Sequence, residues 1–303
     1  MKTVVITGGT GLLGTRLSAL LTERGYTVRH LSRRANLKAQ YPAYAWNIKK
    51  QTIDEAALVQ ADAIIHLAGA GVADQRWTKK RKQEIYDSRV LSTKLLADTL
   101  KKLNQNLQVF VACSAIGFYG SQAAQELTEQ SPLGTGFMSD VCKKWEDSSQ
   151  AIREQGIRTP IIRVGIVLST KGGAMPKLTM THFSRTGSYF GNGQQYYAWI
   201  HIDDIARLFI EAMENKLMTG IYNGTAPQPA TNKDLGQALI HGRKKKMLLL
   251  PVPSVLPRLL MGEMANVVLN STRAVPSATL ATGFQFKYGN LASAINDLYQ
   301  RKI

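Results

Sequence analysis

The first fourteen residues of this chain limit what the rest can fold into. Met1-Lys-Thr-Val-Val-Ile-Thr is a short apolar strand that runs directly into Gly8, Gly11 and Gly14. Leu12, Leu13, Leu17, Leu20 and Leu21 then recur at helical spacing, and Gly25 stands where a helix would stop. A strand, a glycine turn and a helix in phase make a geometry suited to a dinucleotide. The first glycine allows the tight turn, the second lets backbone N–H groups approach a pyrophosphate, and the third lets helix pack on strand. The positive end of the helix dipole faces the same phosphates. Gly8, Thr10, Gly11, Leu12, Leu13 and Gly14 are therefore the candidate cradle.

A chain of 303 residues, 44% of them hydrophobic, can bury a full core as one large α/β domain or as a domain with a smaller lobe. The longest apolar candidate for a membrane span, Met247 to Met261, is interrupted by Pro251, Pro253 and Pro257 and carries Arg258. No membrane partner is expected from it, and the chain reads as cytoplasmic without a targeting segment. Cys113 and Cys142, the only cysteines, make neither a disulfide framework nor a metal site. The net charge of +17 is concentrated at Lys79-Lys-Arg-Lys82, Lys143-Lys144 and Arg243-Lys-Lys-Lys246. No helix-turn-helix, zinc finger or aromatic–basic RNA motif accompanies it, so nucleic acid is not the expected partner. A basic surface around an anionic ligand explains the charge more simply.

Strand and helix patterns alternate through the first half, which implies a parallel sheet covered on both faces. Strands are expected at Thr27–Leu31, Ala61–Ala70, Val109–Ala115 and Thr159–Leu168, with helices at Gln83–Leu103 and Ser139–Glu154. After about residue 170 the pattern loosens. Trp199-Ile-His-Ile-Asp-Asp204 enters a helix to Asn215, Gly220–Asn223 is a short strand, and Thr231 caps a helix through Leu239. A helix is expected around Leu256–Leu269 and a last one from Asn290.

Several motifs in order resemble the extended short-chain dehydrogenase/reductases. Thr7-Gly-Gly-Thr-Gly-Leu-Leu-Gly14 matches their glycine motif, His66-Leu-Ala-Gly69 resembles the turn after their fourth strand, and Cys113-Ser-Ala-Ile-Gly-Phe-Tyr-Gly120 resembles their serine-bearing strand end. Asp74-Gln-Arg-Trp77, Ser88-Arg89, Val141-Cys142, Trp145-Glu146, Trp199-Ile-His-Ile-Asp-Asp204, Asn223-Gly-Thr-Ala-Pro227 and Gly262-Glu-Met-Ala265 are similar to one atypical branch, the epimerase-like family with a C-terminal domain of unknown function. The resemblance implies an α/β, Rossmann-type doubly wound parallel sheet. Residues 1–170 would bind the cofactor, and 171–303 would form a smaller substrate-side lobe that includes a family-specific segment, 248–303. Later segments would return to the main sheet.

The residues after the second strand distinguish nicotinamide cofactors. An acid there hydrogen-bonds an unmodified ribose, whereas a 2′-phosphate needs cations. Leu31-Ser-Arg-Arg34 has no acid, so NADP(H) is expected, with Ser32, Arg33 and Arg34 as its phosphate-binding set. The resemblance places Arg89 where relatives carry Asn, within reach of cofactor phosphate or ribose. Glu84 would hold Arg89, touch a ribose hydroxyl or simply face solvent. Ala68, Gly69 and Val164, at strand ends, complete the expected cofactor set.

Members of the wider class move a hydride with a Tyr-x-x-x-Lys pair and a Ser, the lysine lowering the tyrosine pKa. Here the pair is missing. Counted back from Glu146, its positions fall at Met138 and Cys142, and Lys143 is one residue out of phase. Ser114 is the candidate serine, although an ungapped match puts Ala115 in its place. Tyr119 offers a substitute phenol or packs against the sheet edge. His201 offers a base or closes a helix N-terminus. Arg76-Trp77 follows a turn at the carboxyl end of a strand and suits an anionic or ring-bearing substrate. Two functions fit: an oxidoreductase or epimerase-like enzyme acting on a small molecule, or an NADP(H)-binding protein with weak or no catalysis. The second, a redox-sensing or structural role, suits the family's link to division of cells and plastids.

Overall fold

The computed structural model describes residues 2–104 and 106–301. The first half runs β1 (Thr3–Thr7), α1 (Leu12–Glu23), β2 (Thr27–Ser32), β3 (Ala43–Asn47), β4 (Thr52–Ile53), β5 (Ala63–His66), α2 (Lys79–Leu103), β6 (Val109–Ala115) and β7 (Glu126–Leu127). Next come α3 (Phe137–Ser148), α4 (Gln150–Arg153), β8 (Ile161–Val164), β9 (Ile166–Leu168), α5 (Ala174–Leu178), β10 (Thr186–Phe190), β11 (Tyr196–Tyr197), β12 (Trp199–His201) and α6 (Ile202–Glu214). The last part holds β13 (Ile221–Gly224), β14 (Ala230–Thr231), α7 (Asn232–Gly242), β15 (Leu248–Val252), α8 (Val255–Met261), α9 (Asn266–Leu269), β16 (Arg273–Ala274), α10 (Ser277–Ala281) and α11 (Leu291–Gln300).

Eight strands form one sheet in the order β13-β8-β6-β5-β1-β2-β3-β4, parallel except for the β3–β4 pair. Strand alternation sorts the core into two layers. Val4 and Ile6 of β1 pack with Leu17 of α1 and Phe209 of α6. Val5 packs on the other side with Leu95, Leu96 and Leu100 of α2. The order reverses at β1, between β5 and β2, which is where a doubly wound sheet opens a crevice for a ligand.

Sequence and structure differ at several element ends, each for a local reason. α2 begins four residues earlier than expected, at Lys79, because the Thr78 hydroxyl accepts from Arg81 N at 3.1 Å and caps it. The strand expected over Thr159–Leu168 breaks into β8 and β9 at Gly165. A Cβ there would come within 2.4 Å of Ala198 O, so the backbones of β9 and its neighbour β12 approach too closely for a side chain. The helix expected over Leu256–Leu269 is two short helices joined by a 3-10 turn. β3 and β4 were not expected. Neither was β15, whose Pro251 sits in a two-stranded pairing with β10, where a missing N–H is tolerated. No helix among the described residues is long and apolar enough to cross a membrane.

Candidate functional site

Two clefts open at the carboxyl ends of the strands. The first surrounds the glycine turn. Gly8 has φ +68°, and a Cβ there would stand 3.3 Å from the Leu67–Ala68 backbone. A Cβ on Gly14 would meet Gly8 O at 2.4 Å, whereas one on Gly11 meets only Gly8 O, at 3.2 Å. Gly14 thus serves helix–turn packing, and Gly11 leaves space above the turn. Thr7 Oγ1 accepts from Leu67 N and Ala68 N, both at 3.0 Å, and lies 2.7 Å from His66 Nδ1. With both acceptances filled, the Thr7 proton goes to His66 Nδ1. Nε2 then donates to the hydroxyls of Ser92 and Thr93, each at 3.1 Å. Burial pushes the His66 pKa down to about 3, so this ring is the neutral hinge on which the Gly69 turn rests.

Beyond the turn, a cleft is lined by Gly9, Thr10, His30, Ser32, Arg34, Asn36 and Tyr41. No carboxylate lines it. Ser32 Oγ donates to Arg34 O at 2.9 Å, which bends the chain so that Arg34 faces the cleft. Arg33 is exposed and does not line it, so of the two arginines expected there the structure brings one to the cleft. Sequence reading missed His30, whose Nε2 lies 2.8 Å from Ser18 Oγ and whose ring fills the space that a side chain on Gly9 would need.

Arg89 lies beneath Gly69. A Cβ on Gly69 would be 3.0 Å from its guanidinium carbon. Nη1 donates to Ala70 O and Ile85 O, the plane sits 4.9 Å from the Trp145 ring, and Nε is buried without a partner. No carboxylate pairs with it, and burial lowers its pKa. Glu84 does not hold Arg89. It pairs with Arg81 at 3.1 Å, because an i,i−3 neighbour on the same helix face outcompetes one five residues away.

The second cleft is a cavity of about 250 Å³ on the other side of β6. Ala115, Ile116, Gly117, Met138, Val164 and Ile166 form its floor, Trp77 and Phe137 one wall, and Tyr196, Asn266, Asn270 and Thr272 the opposite wall. Val164, expected to face cofactor, is therefore on the cavity side. Trp77 meets Phe137 edge-on at 5.0 Å and donates Nε1–H to Val72 O. Lys82 pairs with Glu263 at 2.5 Å, tying α2 to the C-terminal segment.

The residues expected to do chemistry are elsewhere. Met138 lines the cavity and carries no transferable proton. Cys142 is fully buried beneath Gly117, and burial pushes its thiol up to about 12. Lys143 points to solvent and pairs with Asp147. Ser114 is 1% exposed and donates to Glu146 Oε1 at 2.6 Å, while its neighbour Ala115 lines the cavity. Strand alternation turns Ser114 inward, which does not suit the reacting-oxygen contact expected of it. Tyr119 is also withdrawn. Its hydroxyl donates to Asn223 Oδ1 at 2.8 Å and accepts from Arg163 Nη1 at 3.0 Å, and burial raises its pKa. Both belong to a buried network centred on Arg163, which grips Glu146 through Nε and Nη2, each at 2.8 Å. Glu129 extends it, accepting from Asn223 N and Ala278 N. One signal for this network was legible: a lone Arg163 inside an apolar strand requires a buried acid. The spacing could not say which.

His201 closes a helix. Its Nδ1 accepts from Asp203 N at 3.1 Å at the start of α6, the ring stacks on Tyr288 at 3.9 Å, and burial lowers its pKa to about 4. Burial opposes ionisation of Asp203, but Arg301 and Arg16 hold it below the usual carboxylate range. Arg76 is exposed beside Gly262, near Glu263 at the cavity's edge.

Residues 4–223 match the family model described as NAD dependent epimerase/dehydratase family, and 252–298 match a domain of unknown function, DUF1731. An epimerase family protein of Staphylococcus aureus is 33% identical over 99% of this chain and 100% of its own length. The epimerase family protein YfhF of Bacillus subtilis is 33% identical over 97% of each. Among solved structures, a human epimerase family protein crystallised with NADPH superposes with a TM-score of 0.88 at 29% identity, covering 99% of this chain and 100% of that one. A nucleoside-diphosphate sugar epimerase of Corynebacterium glutamicum gives a TM-score of 0.80 at 30% identity, covering 98% of this chain and 58% of that one.

Proposed function

The chain belongs to the NAD dependent epimerase/dehydratase family, and from that premise we propose that it binds NADP(H) and acts as an oxidoreductase or epimerase-like protein on a small, largely apolar molecule. The observation that carries the cofactor choice is the cleft beyond the glycine turn, where Ser32 and Arg34 meet and no carboxylate intrudes. The turn's backbone would take the pyrophosphate. Arg89, a buried cation with an unpartnered Nε and no counter-charge, suits a ribose or phosphate oxygen at the Gly69 turn. A bound nicotinamide supplies hydride chemistry. The chain's own part at the cavity is to exclude water with Ile116, Phe137 and Met138 and to orient a substrate with Asn266, Asn270 and Trp77.

A second reading, cofactor binding with weak or no catalysis, is favoured by a different observation. The positions that would hold the phenol, the ammonium and the hydroxyl are Met138, Cys142 and Ala115, and of the titratable groups that do line the cavity, Glu263 is paired with Lys82 and Tyr197 donates to Val268 O, which leaves Tyr196. Fluorescence titration tests the cofactor first. NADPH is expected to bind tighter than NADH by about 1.5–3 kcal/mol, a preference that Arg34→Ala removes and Arg33→Ala leaves largely in place. Equal affinities for the two nucleotides would overturn the choice. Single-turnover assays of the NADPH complex with a panel of apolar carbonyl compounds then separate the two readings.

A further inference from the structure

The C-terminal lobe carries an exposed face that neither cleft uses. Two segments distant in sequence build it, 179–186 and 243–250. β10 and β15 run parallel, with Thr186 opposite Leu248 and Ser188 opposite Leu250. The segments that lead into these strands enclose a groove lined by Met180, Phe183, Arg185, Arg243, Lys245 and Lys246. Phe183 is 89% exposed, Met180 70% and Leu248 69%. Leu249 points the other way, toward Gly187 and Gly236 of the lobe's interior. The strand's alternation therefore puts Leu248 and Leu250 on the outside as a face, not as a frayed end.

Cations crowd the same face. Arg185, Arg243, Lys244, Lys245 and Lys246 are exposed; Arg243 lies over the Tyr299 ring at 4.9 Å, and none of the five makes an ion pair among the described residues. The sequence has no Asp or Glu from 155 to 202 or from 235 to 262. Exposed apolar side chains interleaved with unpaired cations ask for a partner that is apolar inside and anionic at its surface. A second copy of this chain would set cation against cation. A nucleic acid would satisfy the cations and leave Leu248 and Leu250 in water.

We propose that this face docks peripherally on an anionic phospholipid bilayer. Phe183, Met180 and Leu248 enter the interfacial layer, and the basic run 243–246 meets the headgroups. The sequence expectation of no membrane partner rested on the lack of a spanning segment, and peripheral docking needs none.

Sedimentation with vesicles tests it. The full chain is expected to pellet with phosphatidylcholine vesicles containing about 30% phosphatidylserine and to stay in solution with pure phosphatidylcholine. Each cation near such a surface contributes about five-fold to partitioning, so the triple variant Lys244→Gln, Lys245→Gln, Lys246→Gln should lose about a hundred-fold. Phe183→Ser should lose about ten-fold. Thermal melting checks that each variant is folded. Should one fail to fold, the salt dependence of the wild-type chain decides, since docking should fall steeply as salt screens the headgroups. Absence of phosphatidylserine-dependent pelleting, or equal pelleting of the triple variant, overturns the proposal. So does a lipid-free dimer that Phe183→Ser dissolves, or tighter binding to an oligonucleotide than to vesicles. None of these residues touches either cleft, so the result stands whatever the nucleotide titration gives.

Discussion

The two clefts at the strand ends are built from different materials. The nucleotide side is made mostly of backbone: a glycine turn whose shape is set by Gly8 and Gly14, pinned from below by Thr7 and the neutral His66. The cavity side is made of side chains, and those chains are apolar where the wider class of enzymes places a phenol and an ammonium. Binding and chemistry are thus separable on this scaffold. The first needs a short run of sequence and the second needs three residues brought together from β6 and α3. Here the polar groups nearest those positions, Ser114 and Tyr119, are spent on a buried structural network.

The strongest way to break this contrast is to restore the missing cation. Cys142→Lys should not revive hydride chemistry. It should destabilise the fold by about 3–5 kcal/mol, because the ammonium would be buried beside Arg89, and the nearest acid, Glu146, is already held by Arg163 and Ser114. Urea unfolding reads the loss, and a stable, newly active variant would refute the placement of Cys142. On the other side, Gly11→Val should weaken NADPH binding by about a hundred-fold or more while far-UV circular dichroism stays native, since its side chain would fill the pyrophosphate space. Normal binding would make that glycine purely structural.

The pH profile sharpens the account of the turn. Folded His66 stays neutral down to about pH 3, and an unfolded histidine takes up its proton near 6.5. Stability from this site is therefore complete above pH 6.5 and falls by about 1.4 kcal/mol per unit of acidification below it, until the folded ring protonates. His201, lowered to about 4, adds to the same slope over a shorter window. Unfolding free energies that stay flat between pH 6.5 and 4.5 would contradict the buried neutral hinge. The smallest effect belongs to Ser114→Ala. It should cost about 1.5 kcal/mol of stability, the low end for a hydrogen bond to a charged group because Arg163 still holds Glu146, and leave any turnover unchanged. A large loss of turnover at unchanged stability would bring Ser114 back into the cavity.

What the sequence made legible follows the same divide. The glycine turn, the β6 strand and the Thr231 cap are local patterns, and local patterns survive without knowledge of the fold. The helical register that put Cys142 inward and Lys143 outward was readable for the same reason. The partner of Ser114 was not legible because it is a side chain chosen by packing, whereas Glu84 meets Arg81 at a spacing that a helix provides. Glu146 meets Ser114 across 32 residues, and no periodicity announces that. β15 was hidden by Pro251, which rules out a central strand but not a two-stranded ribbon. β4, with two residues, was too short to stand out from the turn that joins it to β3.

The closure of the cavity also sets an order of events during synthesis. Thr272 donates to Gly120 O across 152 residues, Ser271 N reaches Ser121 Oγ across 150, and β16 pairs with β7. Gly120 and Thr272 lie on facing parts of the cavity lining. At about 5–20 residues per second a ribosome needs about 8–30 s to travel from one to the other. Once Ile116, Phe137 and Met138 have been made, the part of the cavity that they line must still wait for Asn266, Asn270 and Thr272. The cavity is therefore completed only when the C-terminal segment is present. Chains truncated after Asn270 should therefore bind an apolar dye more strongly than the full chain, because they lack Thr272 and the β16–β7 pairing.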